Sequence, residues 1–196
     1  MYGAEEAPER DFPMFIQTEE TPNPLTLKFL PGREVMADGT LDMPNAEAAK
    51  RSPLAERLFQ VEGVKGVFLG SDFISVTRRE EKEWYLLKPA LLGVIMEHFA
   101  ANRPVVAAGA APVVESEGEE DEIVSQIKDL INTRVRPAVA QDGGDIVFRG
   151  FEQGVVYLHM QGACSGCPSS TATLRMGIEN MLKHYIPEVT GVRAVQ

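Results

Sequence analysis

The chain is short of cysteine, of positive charge and of long apolar runs, and each shortage closes off a class of function. Only two of its 196 residues are cysteine, too few for a disulfide scaffold. No apolar run approaches the roughly 20 residues of a membrane span. Lys and Arg number 19 against 29 Asp and Glu, for a net charge of -10. With no basic patch carrying interleaved aromatics, nucleic acid is not an expected partner. The half before residue 103 shows no nucleophile elbow, phosphate loop or ligand cluster, and the chain is not expected to be an enzyme. The opening MYGAEEAPERDFPMF lacks the basic and apolar regions of a signal peptide and the Arg-richness of a transit peptide. The expected setting is a reducing one: a bacterial cytoplasm, or a mitochondrial matrix if a eukaryotic leader has been removed.

What is there is unevenly spread. From Ile123 onward seven Lys and Arg face six Asp and Glu, so the other 122 residues carry about -11. Between the halves, residues 103–122 read RPVVAAGAAPVVESEGEEDE. Small residues, two prolines and a run of acids cannot bury enough apolar surface to hold a fold. The expectation is therefore α+β, as two small domains at 14–102 and 123–196, joined by a flexible acidic linker at 103–122 that leaves the halves free to move.

In the first half FIQTEET and LTLKFLP alternate as strands around the breaker Pro22-Asn23-Pro24. Ser52 is placed to cap a helix with Pro53 at its first position and Gly63 as its stop. GVFLG and DFISVTRR are strands around Gly70-Ser71-Asp72, and LLKPALLGVIMEHFAAN is a second helix. The order is β-β-α-β-β-α, with helices on one face of a sheet. His98, among apolar helix residues, reads as a core or surface histidine with no ligand partner. In the second half Ile123, Ile127, Leu130, Ile131 and Val135 share a helical face. QDGGD is a helix-to-strand turn with too few oxygens for calcium. DIVFRGF and GVVYLHM form a hairpin through EQG. Leu174, Ile178, Met181, Leu182 and Tyr185 mark another helix, and GVRAV closes as a strand. The order is α-β-β-α-β.

The chemistry gathers at residues 161–170, QGACSGCPSS. Cys164 and Cys167 are the whole thiol complement, and a C-x-x-C turn lets both sulfurs reach one centre. Gly162 and Gly166 can take positive φ. Pro168 suits the first turn of the following helix, with Ser169 and Ser170 as cap candidates. The positive end of that helix favours thiolate. Three chemistries fit: dithiol exchange of the thioredoxin kind, zinc, and an iron-sulfur cluster. Both metal readings need four ligands and so two copies of the chain, brought together about a two-fold axis. His159 and His184 read as surface residues.

GACSGCPSS, preceded by QDGGD and the hairpin and followed by IENMLKHYIPEV, resembles the C-terminal domain of Nfu-type proteins, the NifU-like family of iron-sulfur scaffolds and carriers. FIQTEETPNPLTLKFLPG with RSPLAERLFQVEGVKGVFLGSDFISVT resembles the N-terminal domain of its mitochondrial and α-proteobacterial branch. The resemblance runs from about Met14 to Val195. It implies a [4Fe-4S] cluster (or [2Fe-2S]) held between two subunits, with Cys164 and Cys167 as each chain's ligands. It also implies a homodimer when loaded, upstream cluster-assembly proteins as donors and apo iron-sulfur enzymes as clients. The scaffold and ferredoxin-type domains of the longer NifU proteins have no counterpart here, which favours delivery over assembly.

Overall fold

A computed structural model describes residues 15–109 and 121–195. Five strands of the first half, β1 (Gln17–Glu20), β2 (Thr26–Leu30), β3 (Leu41–Met43), β4 (Val64–Leu69) and β5 (Ile74–Arg78), form an antiparallel sheet in the order β1-β2-β5-β4-β3. Helices α1 (Pro53–Phe59) and α2 (Trp84–Ala100) complete the domain. The Ser52 hydroxyl accepts from the Ala55 amide at 3.1 Å and Pro53 opens α1, as its sequence dictates. Strand β3 is the element beyond the expected order. It is three residues long and leaves almost no alternation to read.

Side-chain alternation gives the sheet two faces. Leu27 and Phe29 of β2, Ile74 and Val76 of β5, Val67 and Leu69 of β4, and Leu41 and Met43 of β3 enter the core with Leu54, Leu58, Leu91 and Ile95 of the helices. Their neighbours in sequence point the other way. Lys28 pairs with Ser75, Ser75 with Phe68, and Phe68 with Asp42, so these four make one row across the sheet, away from the helices.

The second half carries α3 (Glu122–Leu130), a π-helical turn at Ile131–Val135 and α4 (Arg136–Gln141), which follow one another without a break. Strand β6 (Gly144–Glu152) returns as β7 (Val155–Gly162) through Gln153 and Gly154, both at positive φ. Helix α5 (Pro168–Tyr185) then crosses over to β8 (Gly191–Val195), which runs parallel to β7. Ile127, Ile131, Val135, Val139, Ile146, Val156, Leu158, Ile178 and Leu182 fill this second core. Tyr185, expected in the helical stripe, is exposed and lies edge-on to His184, with the Arg134 guanidinium 5.1 Å from its ring centre.

The α+β class is as expected, but the halves are not apart. The row Lys28-Ser75-Phe68-Asp42 lies against the end of β7 and the turn before β6. Residues 103–109, assigned to the linker on composition, lie along the first domain: the Ser52 hydroxyl donates to the Val105 carbonyl, and the Ala107 amide donates to the Arg51 carbonyl at 2.8 Å. Residues 110–120 lie outside the described residues. Among the described residues no helix is long and apolar enough to cross a membrane.

Candidate functional site

The cysteine turn, Ala163–Cys167, leaves the carboxyl end of β7 and enters the first turn of α5, so it sits at the strand-to-helix corner of a βαβ unit. Gly162 and Gly166 take φ of 60° and 82°, the left-handed conformation expected of them. Pro168 opens the helix. Cys167, not Ser169 or Ser170, occupies the N-cap position, with Ser169 and Ser170 already inside α5. The turn is knitted to the helix behind it. The Thr171 amide donates to the Cys167 carbonyl at 2.9 Å, and the Thr171 hydroxyl donates to the Cys164 carbonyl at 3.0 Å.

The two sulfurs are not equivalent. Cys164 is 6% exposed and packs into the second core. Its Sγ occupies the space that a side chain on Gly144 would need: a Cβ there would stand 2.5 Å from it. Burial, with Asp142 and Asp145 adding negative charge, pushes the Cys164 thiol up to about 12. It is a protonated thiol at neutral pH, and binding a metal must remove that proton. Cys167 is half-buried. It lines an open groove of ≈ 520 Å³ with Thr171, Arg175, Val192 and Arg193. Neither cysteine is in a disulfide. Among the described residues no three His, Cys, Asp or Glu side chains gather as a metal site, so the pair has no third or fourth ligand there.

The other candidates are placed elsewhere. His98 is fully buried, with Nε2 3.2 Å from the Pro104 carbonyl. His159 is half-buried on the β7 face that meets the first domain, near Asp42, rather than on an open surface. Asp145 is committed to structure. Its carboxylate accepts from Nε and an Nη of Arg136 at 2.9 and 2.8 Å, from the Thr40 hydroxyl at 2.8 Å and from the Ile146 amide at 2.8 Å. That leaves it little capacity for calcium.

Sequence reasoning did not find the residues of the first domain that touch the turn. Asn23 Nδ2 donates to the Ser165 carbonyl at 3.1 Å, the Ser75 hydroxyl donates to the Gly143 carbonyl at 2.6 Å, and Lys28 Nζ donates to the Gln141 carbonyl at 3.0 Å. The Asp42 carboxylate accepts from the Gly162 amide, and its burial raises its pKa. The signal available for Asn23 was its place between two prolines, which marks a turn but says nothing of a donor.

Fold and site together describe a two-domain α+β protein with one thiol pair at a strand-to-helix corner. The family description "Scaffold protein Nfu/NifU N terminal" matches residues 16–102, and "NifU-like domain" matches 127–193. A human protein, "NFU1 iron-sulfur cluster scaffold homolog, mitochondrial", is 52% identical over 183 residues, covering 93% of this chain and 72% of the human one. The Drosophila sechellia protein of the same name is 55% identical over 185 residues, and the chain spans 65% of its length. A NifU-like protein of Saccharomyces cerevisiae, solved in solution, is 22% identical with a TM-score of 0.45, over 55% of this chain and 95% of that one. The chain belongs to the Nfu/NifU-like family.

Proposed function

We propose that the chain is an iron-sulfur cluster carrier that holds a [4Fe-4S] cluster between two copies through Cys164 and Cys167 of each, and passes it to apo enzymes. The observation that carries this reading is the donor set. Two soft sulfur ligands stand at a glycine-flanked turn, and no further ligand group gathers among the described residues. A four-thiolate centre is therefore complete only with a second chain. The groove beside Cys167 is open and lined by second-domain residues, which leaves room for that second copy. The cluster is cargo, received from upstream assembly proteins, and the chain catalyses no reaction of its own. The names of the relatives make the mitochondrial matrix the favoured setting over a bacterial cytoplasm.

The thioredoxin-like alternative fits the site less well. Dithiol exchange makes and breaks a bond between the two sulfurs, whereas Cys164 packs into the second core and Cys167 lines the open groove.

Anaerobic reconstitution tests the reading. The expected product has absorbance near 400 nm, four iron and four sulfide per two chains, and the mass of a dimer by light scattering. The apo chain is expected to be a monomer. Cys164→Ser and Cys167→Ser each remove two of the four ligands and are expected to abolish cluster retention while the fold survives. A cysteine variant that retained a full cluster complement would rule out these ligands.

A further inference from the structure

We propose that the open face of the N-terminal sheet is a clamp on the cysteine turn: Asn23 and Ser75 hold the turn in the form that buries Cys164, and loading the cluster releases the two domains from each other. The purpose assigned to the clamp rests on the carrier reading above, while its existence rests on geometry alone.

The clamp is built from side chains that lie outside the first domain's own apolar core. Lys28, Ser75, Phe68 and Asp42 form one cross-strand row on the sheet face opposite α1 and α2, where a free-standing domain would put solvent. Instead Ser75 is 1% and Asn23 2% exposed, and both give their donors to carbonyls of the other domain. Each grips one side of the cysteine site: Ser75 holds the turn before β6 at Gly143, and Asn23 holds Ser165 between the two cysteines.

The glycines on the opposing surface have a matching explanation. A Cβ on Gly143 would stand 2.6 Å from the Ser75 hydroxyl oxygen, and one on Gly162 would stand 2.9 Å from the Phe68 ring. The two backbones approach each other as closely as they do because no side chain intervenes. Gly143 and Gly162 also meet each other across the hairpin end, since the Ala163 amide donates to the Gly143 carbonyl. The Gly143 carbonyl is thus shared between Ser75 and the cysteine turn, which couples the interface directly to the turn.

The gripped form is not a cluster-holding form. Cys164 Sγ points into the second core beside Gly144, whereas Cys167 lines the outer groove. Two sulfurs of one chain that share a centre with a second chain must both face outward. Turning Cys164 out moves the Ala163–Ser165 backbone, and with it the carbonyl that Asn23 holds. A ligand that binds one of two forms draws the equilibrium toward that form by the difference in its affinity for the two. A bridging cluster therefore opens the clamp, and an intact clamp slows its uptake.

The test uses the full chain with Asn23→Asp and, separately, Ser75→Ala. Asn23 Oδ1 accepts from the Leu25 amide at 3.0 Å and holds the local turn. Aspartate keeps that acceptor, replaces the donor toward Ser165 with an oxygen and adds a negative charge at a 2% exposed site, whereas Ser75→Ala breaks the grip with no charge added. Iodoacetamide labelling of the apo protein, read cysteine by cysteine by mass spectrometry, reports how often the turn opens. Cys164 is expected to react at least about fivefold faster in either variant than in the parent chain, with the Cys167 rate and the denaturation midpoint little changed. The radius of gyration should rise, and iron and sulfide uptake should be faster to the same final ratio. Equal Cys164 rates in the parent and in both variants overturn the clamp, whether or not clusters bind. If Asn23→Asp fails to fold, Ser75→Ala decides on the same rates. Faster Cys164 labelling in a chain that takes up no iron and sulfide in any form supports the clamp and overturns the carrier reading.

Discussion

At Gly144 a single methyl group would stand 2.5 Å from the Cys164 sulfur, 2.7 Å from the Gln161 carbonyl oxygen and 2.9 Å from the Cys164 amide nitrogen. Two of those neighbours are backbone and cannot rotate aside. Gly144→Ala is therefore expected to cost about 1–3 kcal/mol in urea denaturation, the range for overpacking a tight interior, and to displace the cysteine turn. The matching observation is faster iodoacetamide labelling of Cys164 than in the parent chain. At this scale the sequence was partly legible. The cysteines and the positive φ of Gly162 and Gly166 could be read from residue type and spacing, since few other residues suit such a turn. The inward aim of the Cys164 sulfur could not, because it depends on Gly144, twenty residues earlier in the chain. Nor could the grip of Arg136 and Thr40 on Asp145, which joins three separate segments.

Among the elements, the continuous helix from Glu122 to Gln141 widens to a π turn at Ile131–Val135, just ahead of Pro137. Proline has no amide hydrogen to give to the carbonyl four residues back, and the irregular turn is followed by Arg136, whose guanidinium meets Asp145. Such insertions gather at functional sites, and this one supports the strand that backs Cys164. Periodicity located the helix but not its irregularity, because apolar residues four apart are also the mark of a regular α-helix.

The end of α2 carries a pH dependence. Burial lowers the pKa of His98 from 6.5, with the Arg57 and Arg103 charges acting in the same direction and the Pro104 carbonyl opposing them. A base with a depressed pKa in the folded state contributes stability that is fully present above pH 6.5 and is lost as the pH falls through the folded value. The apo chain is expected to melt at progressively lower temperature from pH 7 to pH 5. His98→Gln should flatten that slope, and an unchanged slope would locate the acid sensitivity elsewhere.

For the molecule as a whole, the α+β class and both core patterns followed from alternation and helical spacing, while the contact between domains did not. A strand with one apolar and one polar face reads as half-exposed, and nothing in the local pattern tells a polar face in water from one hydrogen-bonded to another domain. The contact bears on delivery. We expect residues 121–196 alone to bind cluster at the same ratio per chain as the full chain. Their transfer to an apo enzyme should be slower than the full chain's at sub-micromolar concentration, with the gap closing as concentration rises, if residues 14–102 dock clients and so raise the local cluster concentration. Equal rates at low concentration would remove docking from the first domain's role.

The bonds from Ser75, Thr40, Lys28 and Asn23 into the second domain span 68, 105, 113 and 142 residues, while the first sheet closes entirely within residues 17–78. Contacts so distant in sequence are late to form and slow to find, and domains fold as units from the N-terminus during synthesis. On the ribosome the first sheet is complete before the cysteines leave the exit tunnel. The grip on the cysteine turn is then among the last contacts of the molecule to form, after the sheet that supplies Ser75 and Asn23 has closed.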